Sequence, residues 1–340
     1  YGGQIKAWCR EHGILFTGHL LGENTLEEMT RSTGEIMSTL SQWDIPGCDM
    51  LANRHEYTTV KQAQSVARQL GKPGVLCEIY GVTNWDFDFR GHKHMGDWLA
   101  ALGVTVRIPH LAWMTMKGEA KRDYPSPIDG HAPWHEKYPI LEDYYARLRM
   151  IMESGKPVAH IAVVHPSESC WMQLGPDSTT QEARQRLEEQ YQELAGWLLF
   201  GLQDFDYVSE ELLSDYGSVG KDGFGAGEMR YDAVVVPPLC TIRSSTLALL
   251  DSFAAQGGSV FLLGEPPACV DGVRRVIPKE VLSGFRRLGF DKEALLGALE
   301  SFREVDVRTA GGERTGRILY QMRREQEKRW LFLAHGKEDT

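Results

Sequence analysis

What the sequence lacks narrows its reading first. Lysine and arginine total 37 against 47 aspartates and glutamates, so the formal net charge is -10 and no basic stripe is formed. A chain of that charge has no long-range attraction to a phosphate backbone, and nucleic acid is not an expected partner. No apolar run approaches the roughly 20 residues needed to span a bilayer. The first residues show no basic segment followed by an apolar one, so neither membrane insertion nor a signal peptide is read. The six cysteines, Cys9, Cys48, Cys77, Cys170, Cys240 and Cys269, are widely spaced with no CxxC pair. Buried free thiols are expected rather than disulfides or zinc. No GxSxG elbow is present, which argues against an α/β-hydrolase, and no GxGxxG or Walker loop follows a strand-like run, which argues against nucleotide binding.

What is present is ordinary for a folded protein: 340 residues, 42% hydrophobic and 25% charged, enough for two domains. Residues 1–116 alternate apolar strand-like runs, at 14–20, 45–51, 74–79 and 104–111, with amphipathic helical stretches such as 57–70 and 93–102. The helices stop at Gly13, at Gly71-Lys72-Pro73 and at Gly103, as C-caps require. Successive βα units of this kind make half of an eight-stranded barrel, or equally part of an open doubly wound sheet. Residues 118–138, rich in proline, histidine and charge, form a long loop, and such loops tend to be functional. A helix at 141–153 leads to a second α/β unit, with strands at 159–165, 231–236 and 259–263 and helices at 179–200 and 244–256, the pattern of a small doubly wound sheet. The glycine cluster at 217–227 reads as a flexible loop. The tail at 305–332 alternates like antiparallel strands opening a β-sandwich, with the charge run 323–329 at a strand edge or turn. Tyr1 runs straight into a helix-like segment at 4–12, and the chain stops just after strand-like 329–333, so both ends are expected to be cut from a longer protein.

Polar and aromatic residues gather after the C-terminal ends of the first four strands: His19 and Glu23, Asp49 and His55, Glu78 and Trp85, His110 and Trp113. A barrel's catalytic face requires that one-sided enrichment. Glu78, closing the run Val75-Leu76-Cys77 shortly before Gly81, is the leading candidate. Glycoside hydrolysis needs one carboxylic acid to protonate the leaving oxygen and a second carboxylate to attack the anomeric carbon or activate water, and Glu78 suits the second role. A strand-end glutamate that merely pairs with Arg107 is the competing reading. Glu23 is the best carboxylate partner within the chain, or else a helix N-terminal glutamate before Asn24-Thr25. His19 and Glu23 stand i, i+4, the spacing of two metal ligands on a helix, yet they straddle a strand end with Gly22 between them. No metal ligand is therefore assigned. His110 could hydrogen-bond a sugar hydroxyl or else be a satisfied structural histidine, while Trp85 and Trp113 offer stacking faces or core filler. Ser167-Glu168-Ser169-Cys170-Trp171 lacks the Cys-Gly type of nucleophile elbow, so catalysis is not expected in the second unit.

These residues resemble a known group. Thr17-Gly18-His19-Leu20-Leu21 with Glu23, Ile45-Pro46-Gly47-Cys48-Asp49, Leu76-Cys77-Glu78 with Gly81 and Trp85, Pro109-His110-Leu111, and Lys121-Arg122-Asp123-Tyr124-Pro125 are together similar to large bacterial glycoside hydrolases of the alpha-L-rhamnosidase family 106 and its relatives. Their architecture is shared with the family 42 beta-galactosidases. The resemblance is specific as a combination, covers the chain well to about residue 138, and is weaker beyond, at His165-Pro166 and Trp171. It implies the C-terminal half of a (β/α)8 TIM barrel over 1–140, a flavodoxin-like (class I amidotransferase-like) domain over 156–300, and the start of a β-sandwich over 303–340. It also implies that the four strands are strands five to eight, with Glu78 on the seventh as base or nucleophile and the acid on a strand upstream of Tyr1. His19, Glu23, Asp49, Trp85, His110 and Trp113 would then line the sugar subsite. The expected partner is a carbohydrate. No cofactor is read from the residues, although the resemblance leaves calcium open for the full-length enzyme. The bulky Tyr80 after Ile79 departs from the smaller residues expected there. A non-catalytic carbohydrate-binding or scaffolding relative and a metal-dependent hydrolase centred on His19 and His110 remain the alternatives, and sugar, linkage and stereochemical course stay open.

Overall fold

The computed structural model describes residues 1–122 and 128–337. Its first sheet is three parallel strands in sequence order, Gly47–Asp49, Val75–Ile79 and Val104–Pro109. The first strand expected, at 14–20, is reduced to one parallel bridge from Thr17 to Ile45. Its flanking Ile14 and Leu15 are 51% and 63% exposed, so that segment finds no apolar surface on its outer side. Gly47 lets it approach, because a Cβ there would collide with the Gly18 carbonyl oxygen. Among the described residues the sheet does not close into a barrel.

The second sheet has five parallel strands, and two of them, Phe205–Val208 and Arg286–Leu288, fall outside the strands expected. Both carry charged residues that hide them from an apolar count. With Ile161–Val164, Ala233–Val236 and Ser259–Leu263, the order in chain sequence is 2-1-3-4-5, a doubly wound arrangement. The glycine cluster at 217–227 is not a flexible loop. It folds as part of an antiparallel meander, Gly217–Gly220, Gly223–Ala226 and Met229–Tyr231, anchored by buried Phe224 and Tyr231. The tail forms the hairpin Ile318–Glu325 and Lys328–His335, turning at Gln326 inside the charge run, with Lys156–Pro157 as a third strand. All six cysteines are free, four of them buried. No helix of the described residues is long and apolar enough to cross a membrane.

The helix Tyr57–Gln69 joins the two sheets. Every residue from 58 to 69 is buried, polar ones included, because one face packs on the first sheet and another meets strand Phe205–Val208. Its polar face is consumed by four charges. Lys61 Nζ lies 2.9 Å from Asp204, and Arg68 reaches Asp204 at 2.8 Å and Asp206 at 3.0 Å. Burial alone would raise the Asp204 carboxyl, but Arg68 and Lys61 outweigh it and hold it low.

Candidate active site

Strand register assembles the site. Asp49 is the cross-strand partner of Glu78, and Glu78 in turn faces Ile108, so two carboxylates stand side by side at the C-terminal edge of the sheet. The Thr17–Ile45 bridge delivers His19 to the same edge. Its Nε2 lies 3.1 Å from Glu78 Oε2, and its Nδ1 lies 2.9 Å from the Leu20 carbonyl oxygen. Both ring nitrogens thus face acceptors, which only the doubly protonated imidazolium satisfies. Burial opposes that charge, yet the Leu20 carbonyl and the carboxylates of Asp49, Glu78 and Glu23 overcome it and raise the His19 pKa. Asp49 is raised by burial first, with His19 pulling it down and Glu78 pushing it up. A cation between two carboxylates is how a site holds like charges close together. Arg107 is engaged elsewhere, with Glu142 at 2.8 Å and the Tyr80 hydroxyl at 3.3 Å, so it does not cap Glu78.

The chain after Glu78 is strained. Tyr80, Val82 and Asn84 have φ of 69°, 61° and 69°, and a β-branched residue in that region is a genuine outlier. Such strain gathers at functional loops. Tyr80 itself is fully buried, its ring against Phe87 and His92 and its hydroxyl donating to the His92 carbonyl at 3.1 Å. Its bulk is accommodated in the interior.

Glu23 lies beneath this edge, 6% exposed. Its Oε1 accepts from the Leu20 amide at 2.7 Å and its Oε2 from the Asp49 amide at 3.4 Å, binding the segments that carry His19 and Asp49. The helix that follows, Leu26–Ser32, is capped by Thr25 instead. Burial pushes the Glu23 carboxyl up from 4.5 to about 7, against the pull of those two amides. A carboxyl raised by folding binds its proton more tightly in the folded state, so its stabilising share is complete below about pH 4.5 and is lost as pH rises through 7. Glu23→Gln should therefore flatten the fall in unfolding free energy between pH 5 and 8 by on the order of 3 kcal/mol, read by urea melts at each pH. An unchanged slope would show that Glu23 titrates normally.

The remaining residues are placed less centrally. The His110 amide donates to the Ile79 carbonyl at 2.7 Å, and its charge lowers the Asp49 pKa, but His110 is not in the trio. Trp85 and Trp113 are half-buried, and among the described residues no hydrogen bond joins either indole to His19, Asp49 or Glu78. His131, in the long loop, reaches the Trp113 carbonyl oxygen at 2.9 Å. Of the Lys121-to-Pro125 motif, Asp123, Tyr124 and Pro125 lie outside the described residues. His19, Asp49 and Glu78 also form a group that could hold a metal ion, their ligand atoms lying within 4.8 Å of one another. One imidazole and two carboxylates suit a hard or borderline divalent cation. The i, i+4 pair of His19 and Glu23 is not that group, since 19–25 is not helical.

Two other concavities bear on function. The crevice of a doubly wound sheet opens at the switch point, here between Ile161–Val164 and Ala233–Val236. Pro166, Pro237, Pro238, Tyr191 and Tyr207 fill it to a cavity of about 10 Å³, room for a single water. Beside it, Glu168 is paired with Arg243 at 2.5 Å, and Ser169 Oγ accepts from the Cys240 amide at 3.0 Å. A far larger cleft, about 1020 Å³, lies at the opposite, N-terminal ends of the first sheet's strands and reaches the second unit and the tail hairpin. The trio is not in it.

No protein-family model and no curated sequence matches the chain. Solved structures do. The chain is similar to a rhamnosidase from Novosphingobium sp. PP1Y, with a TM-score of 0.71 and 16% identity over 97% of this chain and 32% of that one. It is also similar to a beta-galactosidase from the haloarchaeon Halorubrum lacusprofundi, with a TM-score of 0.54 and 14% identity over 82% of this chain and 42% of that one. For a family 42 exo-carrageenase from Bacteroides ovatus the TM-score is 0.52 and the identity 12%, over 87% and 40%. The chain spans less than half the length of each of these proteins, and its fold is glycoside hydrolase-like.

Proposed function

We propose that this chain belongs to a glycoside hydrolase that cleaves O-glycosidic bonds, with Glu78 as catalytic base or nucleophile. The observation that carries the reading is the ion pair of His19 with Glu78 beside Asp49, at the C-terminal edge of parallel strands and at the start of a strained loop. His19 Nε2 at 3.1 Å orients the Glu78 carboxylate, the group that accepts a proton from water or attacks an anomeric carbon. In this reading the parallel strands are strands five to eight of a (β/α)8 barrel within residues 1–140. A flavodoxin-like domain at 156–300 is supported by the 2-1-3-4-5 order, and a β-sandwich begins at 303. The acid that protonates the leaving group then comes from an earlier strand of the full-length protein. The substrate is a carbohydrate, an alpha-L-rhamnoside in the closest reading to the family 106 resemblance, bound by His110, Trp85 and Trp113, with Glu23 holding the floor. A panel of aryl glycosides offered to the full-length protein tests this, and it also separates an enzyme from a non-catalytic carbohydrate-binding relative.

The close approach of the three ligand atoms favours one second reading, a divalent cation held by His19, Asp49 and Glu78, with Glu78 as ligand rather than base. Dialysis against EDTA followed by elemental analysis decides between them. The glycosidase reading with Glu78 as base expects turnover to survive metal removal. Loss of turnover, restored by one divalent cation, would favour the metal reading.

A further inference from the structure

The segment that carries His19 is held from the second unit as well as from the first sheet. The long helix Asp177–Phe200 of the second unit bonds to residues 24–27 through three side chains. Glu188 Oε2 accepts from the Leu26 amide at 2.7 Å, and Gln192 Nε2 donates to the Asn24 carbonyl oxygen at 3.1 Å. The same Gln192 nitrogen donates to Glu188 Oε1 at 2.8 Å, so the two side chains act as one clamp. A turn earlier, buried Arg184 pairs with Glu27 at 2.9 Å. From the other side, the Glu23 carbonyl oxygen accepts from Thr59 Oγ1 and Gln62 Nε2 of helix Tyr57–Gln69, both at 3.3 Å.

From this clamp a chain of hydrogen bonds runs to Glu78. Glu23, next to Asn24, holds the Leu20 amide at 2.7 Å and the Asp49 amide at 3.4 Å. The Leu20 carbonyl oxygen meets His19 Nδ1 at 2.9 Å, and His19 Nε2 meets Glu78 Oε2 at 3.1 Å. The segment has little pairing of its own. One bridge, at Thr17, ties it to the sheet among the described residues, and Gly22 turns the chain at a φ of 73°. A stretch with so few ladder bonds takes its shape from the groups that fasten it.

We propose that Glu188 and Gln192 are positioning residues of the candidate active site: from the second unit they fix residues 23–26 and so set the place of His19 against Glu78. Neither touches the reacting groups, and both act through Glu23 and His19. The second unit is then part of the frame that aligns the site, and not only a neighbour of the sheet that bears it. The kinetic consequence rests on the reading of Glu78 as base or nucleophile, whereas the coupling between helix Asp177–Phe200 and the His19 segment stands on the hydrogen bonds alone.

The test combines kinetics and amide exchange in the full-length protein. Glu188→Ala and Gln192→Ala are expected to lower kcat about ten- to a hundredfold with KM nearly unchanged, since a shift of about 1 Å in a catalytic group is enough for that. Glu188→Gln keeps an acceptor for the Leu26 amide and should stay within a few-fold of the parent. In a His19→Ala background, Glu188→Ala should lower kcat no further, because it acts through His19. Exchange needs no turnover: in both alanine variants the Leu20 and Asp49 amides, held by Glu23, should exchange about tenfold faster than in the parent, read by mass spectrometry. The proposal is overturned by parent-like exchange of those amides in both variants, by parent-like kcat in both, or by an effect of Glu188→Ala that is undiminished without His19. A parent that turns over no glycoside removes the glycosidase reading instead, and the exchange rates then decide the coupling.

Discussion

Glu78→Gln in the full-length protein is expected to lower kcat on the order of 10²- to 10⁴-fold, with KM and the melting temperature nearly unchanged. Glutamine fills the same volume and can still accept a hydrogen bond from His19, so the edge of the sheet should persist. What it loses is the negative charge that takes a proton or forms a bond to carbon. His19→Ala should act more mildly and differently, shifting the pH profile of kcat to higher pH because the Asp49 carboxyl would lose the charge that pulls it down. Turnover of Glu78→Gln within a few-fold of the parent would remove Glu78 from the chemistry.

Arg68→Leu is expected to cost about 3–5 kcal/mol of stability, the usual penalty for removing one partner of a buried ion pair. The guanidinium touches both Asp204 and Asp206, and each of those carboxylates is nearly inaccessible to water. Lys61 would be left alone to neutralise two aspartates, one of which it meets only at 3.6 Å. The loss should appear in urea melts followed by both tryptophan fluorescence and far-ultraviolet circular dichroism, as one transition moved to lower denaturant. A second replacement, Asp206→Asn, should restore part of the loss, because it removes one of the stranded charges. A change under 1 kcal/mol, or two separated transitions, would mean that the helix Tyr57–Gln69 does not bind the two sheets into one cooperative unit.

Glu78 was legible in the sequence because its signals are local. An apolar run of three, a carboxylate and a following glycine specify a buried parallel strand and the loop it opens into, and the structure has that strand at Val75–Ile79. The flanking strands at Gly47–Asp49 and Val104–Pro109 were legible for the same reason, and their register brings Asp49 beside Glu78. The His19–Glu78 contact was not, since it spans 59 positions and hangs on a single bridge at Thr17. An apolar run at 14–20 gives the right strand-like pattern, but a strand also needs a partner paired along its length, and pattern says nothing of partners.

The helix Tyr57–Gln69 shows a deeper limit. Lys61 and Arg68 stand seven apart and so share one face, which in isolation reads as the solvated side. Their partners come about 140 positions later, Asp206 on a strand that its charge disguises and Asp204 just before that strand. Glycines misled in the opposite direction at 217–227, where Phe224 and Tyr231 bury their rings and draw the backbone into a meander despite its freedom.

The central claim is that the edge bearing His19, Asp49 and Glu78 cleaves a glycosidic bond. It is tested most directly by the release of phenol from a panel of aryl glycosides, alpha-L-rhamnoside and beta-galactoside included, by the full-length protein. The account predicts steady turnover of at least one of them. A folded full-length protein that hydrolyses none would contradict it.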